Sequence, residues 1–508
     1  MAQIPLIPNQ DFKSSIPVPL HQHITEERLF AAFSRDSVPL PYPNPTKAFW
    51  THGEPDANPL GKVGSVGNLT ANADVVIIGS GITGVGAAYH LAKLAQQAGL
   101  KLDVVVLEAR DFCNPPQGRN GGHLTPVLSQ GFRANSQRYG VVEAIKSVAL
   151  ENHTVSSLLH IIRSNNKEED VDLVSGHRFD LFFSKEEEND FLLDYDAAKM
   201  SGVNLSDIRF LSQDETRNKY GPQFPSVSYF GNNLWPLKLV TQLFNLAKER
   251  FSLTSGSHLS LHTQTPVTKV SLLSESDRGE QDDNRYPRRW LIETPRGLIR
   301  SHIVIHATNA YAAHLLPFLI PSPGKDSIVP VRGQVIATRA AISSQEIINT
   351  SSSANDGFEY WFSRPIKNVD EDKPLIILGG AREATAPGFE LGVADDTTLN
   401  ENASKTLRDF LPAVYPEGWF SKDQQPEMEW TGVMGFTESR NPFVGPVIDP
   451  STKTTIEGQY IAAGYSGHGM PRTFGCAEAL AQIIIADLTN KTWTSPKWFP
   501  QHFLTTSR

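Results

Sequence analysis

Gly79-Ser80-Gly81-Ile82-Thr83-Gly84 sets three glycines at the spacing Gly-x-Gly-x-x-Gly. That spacing suits one task. The first glycine permits a tight turn, the second lets backbone N–H groups reach a pyrophosphate, and the third lets a helix pack closely on a sheet. Ile82 and Thr83 then open a helix whose N-terminus presents its positive dipole end to the phosphates. A sextet of this kind is weak evidence by itself, so the flanking elements decide. Residues 74–78 (DVVII) form a short apolar run that predicts a buried parallel strand. A helical stretch follows to about Gln97, and residues 102–107 (LDVVVL) predict a second buried strand ending at Glu108. This is a βαβ unit near the ~30 residues expected of one. Glu108 falls where a carboxylate accepts hydrogen bonds from ribose hydroxyls, and the ensemble predicts a dinucleotide site. The competing reading is a Gly-rich turn in an unrelated α/β fold.

A second constellation lies just beyond. Glu108-Ala109-Arg110 places a base directly after the ribose acid, and Gly118-Arg119-Asn120-Gly121-Gly122-His123 follows. Paired glycines let backbone amides touch a ligand. A nicotinamide domain has no general need of such a loop, whereas a flavin site must hold a ring system beyond the pyrophosphate.

At these residues the sequence resembles the FAD-dependent oxidoreductases of the D-amino-acid-oxidase superfamily, the group that includes glycine oxidase and sarcosine oxidase. The resemblance continues in order. Trp235-Pro236-Leu237-Lys238-Leu239-Val240 is similar to the segment that returns the chain to the FAD domain, and Val267 falls where a strand backbone contacts the adenine. The run from Ile303 to Tyr311, with Thr308, is similar to the turn near the pyrophosphate. Val329 to Gln334 resembles the passage into the substrate domain; Trp430 to Thr437 and Asn441 to Pro446 resemble the way out. Gly464-Tyr465-Ser466-Gly467-His468-Gly469-Met470 resembles the C-terminal flavin loop. The match spans roughly residues 70–490.

What the resemblance implies is an α/β fold in which a Rossmann-like FAD-binding domain interleaves with an antiparallel-sheet substrate domain. The expected division is an N-terminal arm (1–72), FAD-binding parts at 73–175, 235–328 and 431–508, and substrate parts at 176–234 and 329–430. It implies non-covalent FAD, an amine or amino-acid-like substrate, and O2 or another acceptor. The implied reaction is hydride transfer from a C–H beside a neutral amine nitrogen, giving an imine. Two departures stand out. Sarcosine-oxidase-like members carry a carboxylate-holding lysine where this chain has Pro471, followed by Arg472. A second lysine, linked to oxygen reactivity, would fall in residues 375–380, which hold none. Two rivals therefore stand beside the amine oxidase: an NAD(P)-linked reductase, which would need a second fingerprint, and a catalytically silent flavin-binding protein.

For contacts with substrate or flavin the candidates are His468, Tyr360 and Arg382, with Trp361 and Arg364 nearby in sequence. An arginine grips a carboxylate bidentately, although a structural ion pair is an equal alternative for either one. His123 and His468 sit among glycines, which favours a structural role over acid–base work. Cys113 precedes the loop and reads as a buried thiol rather than a flavin tether.

Composition sets the limits. Of 508 residues 39% are hydrophobic and 20% charged, enough for a large core, and the net charge of −9 argues against a nucleic-acid surface. Two cysteines rule out a disulfide framework and suit a reducing compartment. The two cysteines form no Cys-x-x-Cys pair, and no metal is expected. Apolar runs fall short of the roughly 18–20 residues a membrane span needs, and the N-terminus lacks a secretory pattern, so the expectation is a cytoplasmic protein. Residues 1–72 read as an arm lying over the body, anchored by Phe49 and Trp50.

Overall fold

The computed structural model describes residues 33–34, 37–114, 119–274, 286–322, 326–343, 351–366 and 373–508. Most of the expected arm before residue 37, Gly118 of the second glycine loop with the prolines before it, and most of the polar segment 274–289 lie outside the described residues.

The apolar run behind the glycine sextet forms the strand Asn72–Ile78, buried at every position after the first. Burial on both faces requires parallel neighbours covered by helices. Asp103–Leu107 pairs on one side and Gly297–His306 on the other, both parallel. His258–His262 and Thr455–Ala463 extend the parallel set outward. An antiparallel edge strand, Phe443–Ile448, closes one side. Lys269–Leu272 and Trp290–Thr294 form an antiparallel branch off Gly297–His306. The helix Ile82–Ala98 packs between Thr473–Leu488 and Pro236–Ser252, and its buried face joins the main core.

A second eight-stranded sheet runs Met428–Phe436, Val329–Arg339, Leu375–Gly380, Glu359–Ser363, Ser351–Ala354, Val174–Leu181, Ser226–Asn233, Arg209–Leu211. Its pairings are antiparallel except that between Ser351–Ala354 and Val174–Leu181. Glu401–Val414 covers it through Leu407, Phe410 and Leu411, which meet Phe179 and Trp361 in one cluster. The chain crosses between the two sheets repeatedly, which places loops of both around one region.

Several expectations needed revision. The single helix read over 135–165 is two, Phe132–Tyr139 and Val141–Ser164, broken at Gly140, whose φ of +87° is not helical. The strand expected at 267–272 begins at Lys269, so Val267 lies in the turn before it. The strands Val174–Leu181 and Ser226–Asn233 escaped notice because each buries polar side chains as well as apolar ones. Arg178 Nε donates to Asp180 Oδ1 at 2.7 Å, and the Tyr229 hydroxyl to Asp180 Oδ2 at 2.6 Å. Such a satisfied network replaces the alternating apolar pattern that marks a half-buried strand. Among the described residues no helix is long and apolar enough to cross a membrane.

Burial holds the imidazoles of His90, His306 and His502 down at about 4 and that of His123 at about 3. Unfolded, they titrate near 6.5. Between those values the unfolded chain binds more protons, so their contribution is complete above pH ~6.5 and is lost as the pH falls. Two buried acids oppose them. Burial, with Asp356, lifts Glu187 to about 8, and burial beside Glu383 lifts Glu359 well up, so both favour the fold at lower pH. Four histidines outweigh two acids, and Tm is expected to drop on acidification from pH 7 to 5 at saturating cofactor. Thermal melts that stay flat or rise over that range contradict this balance.

Candidate active site

The carboxyl ends of Gly297–His306, Asn72–Ile78 and Asp103–Leu107 border a solvent-open cavity with about 630 Å³ of empty space. In open parallel sheets this is where ligands bind. Gly79, Gly81, Glu108, Ala109, Val267 and Thr308 all line it. The turn into the helix is tight: Gly79 has φ +110°, and a Cβ on Gly84 would stand 2.0 Å from the Gly79 carbonyl oxygen. Ile82 and Thr83 begin the helix directly after Gly81. Glu108 is buried and fixed, its Oε2 accepting from Ser80 N at 3.0 Å and Ser80 Oγ at 2.7 Å, its Oε1 from Arg110 N at 3.0 Å. Thr308 lines the cavity, and its hydroxyl is buried without a hydrogen-bond partner among the described residues. A buried polar atom of this kind asks for a ligand partner. An oriented carboxylate, an orphaned hydroxyl and a helix N-terminus in one cavity fit the ribose and pyrophosphate of a dinucleotide such as FAD.

The second glycine loop lies against the second sheet. Asn120 Oδ1 accepts from Gly122 N at 2.7 Å, which sets the turn. Gly121 is required by Tyr360, since a Cβ there would come within 2.1 Å of that ring. His123 is wedged edge-on between Tyr360 and Phe362, with ring centroids 5.5 and 5.2 Å away. Its imidazole, held at about 3, stays neutral and does not serve as an acid near pH 7. Tyr360 is pushed up to about 12 by burial, against the pull of the Arg382 charge. Arg382 lies over two rings, Phe358 and Phe436, each 5.1 Å from its guanidinium carbon. Gly467 of the C-terminal loop borders Phe436 from the other sheet, at 3.2 Å from a built Cβ. Tyr360, Arg382, Phe436 and Gly467 thus come together from distant parts of the chain.

Other candidates are engaged elsewhere. His468 Nε2 is 3.1 Å from Glu151 Oε2, and Arg472 Nε donates to Glu151 Oε1 at 2.8 Å. Burial opposes the Glu151 charge, yet His468 and Arg472 hold that carboxyl down at about 2. Gly469 and Met470 continue this loop, with Met470 in the main core. Arg364, offered as a carboxylate grip, is buried on Asp172 and stacks over Trp50 and Trp235 at 5.3 and 5.1 Å. That position makes it structural. Arg110 Nη1 donates to Asp396 Oδ2 at 2.9 Å, and Arg119 Nε stands 3.8 Å from the same oxygen. Arg110 is therefore spent on Asp396, while Arg119 donates to the Thr431 and Thr46 carbonyls with Asp396 as a more distant counter-charge; sequence reasoning missed Asp396 because it sits in an unremarkable polar stretch. Glu151 was missed likewise, inside a helix with no motif. Asn309, Tyr311, Thr265, Leu40 and Pro41 also line the cofactor cavity. Cys113 is buried, and burial pushes its thiol well up.

The profile of the FAD-dependent oxidoreductase family DAO matches residues 74–483. The chain belongs to that family. A probable oxidoreductase OrdL of Rhizobium meliloti is 25% identical over 434 residues, covering 82% of this chain and 84% of that protein. Gamma-glutamylputrescine oxidoreductase of Escherichia coli is 24% identical over 430 residues, covering 83% and 85%. Among solved structures, glycine oxidase from Geobacillus kaustophilus superposes with a TM-score of 0.58 at 16% identity, covering 86% of this chain and all of that one. The DAO-family chain is an oxidoreductase with FAD as its cofactor, and its two-sheet architecture is that of its structural neighbours.

Two outcomes follow for the cofactor. The purified protein is expected to be yellow with one FAD per chain, and Gly81→Val to be colourless, because a branched Cβ occupies the approach of the pyrophosphate. Wild-type protein that cannot be reconstituted with FAD would overturn the site. Acid precipitation is expected to release the flavin into the supernatant, since the Cys113 thiol is protonated and packed away. Colour retained in the pellet would place a covalent bond at Cys113 or His123.

Proposed function

We propose that this DAO-family enzyme oxidises the C–N bond of an amine or amino-acid derivative, with Tyr360 and Arg382 forming the substrate side of the site. The observation that carries this reading is the grouping of Tyr360, Arg382 and Phe436 against the two glycine loops. Gly79, Gly81, Ile82, Thr83, Gly84, Glu108, Ala109, Val267 and Thr308 would hold the nucleotide half of FAD. Asn120, Gly121, Gly122, Gly467 and Gly469 would border its ring half. FAD, when bound, supplies the hydride acceptor for oxidation of a C–H next to nitrogen, which leaves an imine.

The protein's part is to bind, orient and exclude water. The half-buried aromatic ring of Tyr360 suits an amine-bearing chain. At about 12 the Tyr360 hydroxyl keeps its proton, so it donates a hydrogen bond and does not act as a base. His123 is neutral and buried among rings. The substrate nitrogen therefore loses its proton to solvent before reaction. Arg382 would orient a carboxylate, and the position of Pro471 removes the lysine that grips small amino acids in sarcosine-oxidase-like members. A secondary amine or a larger amino-acid derivative suits this arrangement better than a small free amino acid. The name of one relative, gamma-glutamylputrescine oxidoreductase, lies within that range.

Arg382→Met is expected to raise KM roughly ten- to a hundredfold for a carboxylate-bearing amine, the loss of one charge-assisted contact. Anaerobic flavin bleaching across an amine panel supplies the readout. Rapid bleaching by glycine or sarcosine alone contradicts the substrate preference. An unchanged KM in the variant removes Arg382 from the site, and no bleaching by any amine favours a silent flavoprotein.

A further inference from the structure

The family match begins at residue 74, yet part of the cofactor cavity is built from residues well before it. Leu40 and Pro41 line the same cavity as Glu108 and Val267, and both remain half-buried. The segment that carries them is fastened at both ends. Val38 is buried against Ala310 and Ala312, and its carbonyl accepts from His314 Nδ1 at 3.0 Å. Thr46 N donates to the Asp396 carbonyl at 2.8 Å, and Thr46 Oγ1 accepts from Thr431 N at 2.9 Å. Arg119 donates to the Thr46 carbonyl, and Arg110 Nη1 to that of Tyr42 at 3.3 Å. Trp50 is fully buried, stacks edge-on with Trp235 at 5.4 Å, and donates through Nε1 to the Asn120 carbonyl.

We infer that residues 38–50 are a cofactor-retaining strap, in which Leu40 and Pro41 wall the adenosine side of the FAD cavity. The division of labour is visible in burial. The anchors Val38, Ala48 and Trp50 are packed in the interior, and Tyr42, Pro43 and Asn44 are exposed. Leu40 and Pro41 stand between, with the cavity beside them. A bound adenosine covers their apolar surface and shields itself from water, a gain that only the holoprotein collects. Arg110, Arg119 and Asn120, which grip the strap, all come from the loops that follow the ribose acid. Strap and cofactor loops therefore hold one another in place.

The test uses full-length apoprotein titrated with FAD, ADP and FMN, followed by fluorescence or calorimetry, with thermal melts of the apoprotein alongside. Leu40→Asp is expected to weaken FAD and ADP by about tenfold or more and to leave FMN within about twofold, because FMN lacks the adenosine. The apoprotein Tm is expected to be unchanged. Leu40→Ala gives a smaller shift in the same direction and serves if the charged variant folds poorly. FAD affinity within about twofold of wild type in both variants, or an equal loss for FMN, overturns the strap as an adenosine wall. A lowered apoprotein Tm that accounts for the weaker binding overturns it too, since Leu40 would then be a folding residue only.

Discussion

A single buried carboxylate, Asp396, sets the geometry of much of this protein. Arg110 and Arg119 both converge on it from the cofactor loops, at 2.9 and 3.8 Å, and all three side chains are nearly inaccessible. Burial acts against both guanidinium charges. Asp396 nevertheless lifts Arg110 above its ordinary value, while Arg119, facing Arg110 as well, is drawn down to about 10. Both stay charged at neutral pH. Buried charges persist only when paired and hydrogen-bonded. The backbone carbonyl of Asp396 also accepts from Thr46, and the Thr431 hydroxyl lies on it at 3.2 Å. Four segments far apart in sequence thus meet at one residue: the arm, the ribose-acid loop, the second glycine loop and an edge strand of the second sheet.

This convergence follows from how the two sheets share the chain. A parallel sheet offers its ligand site at the carboxyl ends of its strands, and those ends are also where the chain departs for the other sheet. The loop after Asp103–Leu107 leaves past Glu108 and reaches Tyr360 through Gly121. The C-terminal loop leaves Thr455–Ala463 of the first sheet and places Gly467 against Phe436 of the second. A flavin enzyme needs a nucleotide-binding half and a substrate-facing half in register, and alternating crossings supply that register without a separate hinge.

The nucleotide half of the site was legible in the sequence because its chemistry is local. A buried strand, a glycine turn and a helix start are consecutive residues, and Glu108 follows within the same βαβ unit. The polar strands of the second sheet were not legible. Arg178, Asp180, Tyr229 and Ser353 satisfy one another across three strands, so buried polar residues interrupt the apolar runs that would mark these strands as buried. The helix Glu401–Val414 went unread although its apolar stripe is strong; Pro412 in its last turn is the helix breaker it carries. Asp396, Glu151 and Asp172 are each defined by a partner more than a hundred residues away. No spacing rule reaches that far.

The same economy of charge explains why the arginines sort as they do. Arg110 and Arg119 share Asp396, Arg364 rests on Asp172 between two tryptophans, and Arg472 shares Glu151 with His468. Each of these pairs joins elements of different origin, and in each the carboxylate is almost wholly buried. Removing one partner leaves the other charge stranded in a medium that cannot solvate it. Their task is to fix loops. Arg382 differs in kind: its guanidinium lies over the rings of Phe358 and Phe436, half-buried, near the Tyr360 hydroxyl. Stacking of this sort leaves the edge of the guanidinium, which carries its donors, pointing away from the rings. A guanidinium held by its face keeps a fixed plane, which bidentate recognition of a carboxylate requires. The residue that sequence comparison placed in this role, the lysine replaced by Pro471, would have come from the C-terminal loop. Arg382 instead follows a strand of the second sheet, so the proposed substrate contact would come from that sheet and not from the C-terminal loop.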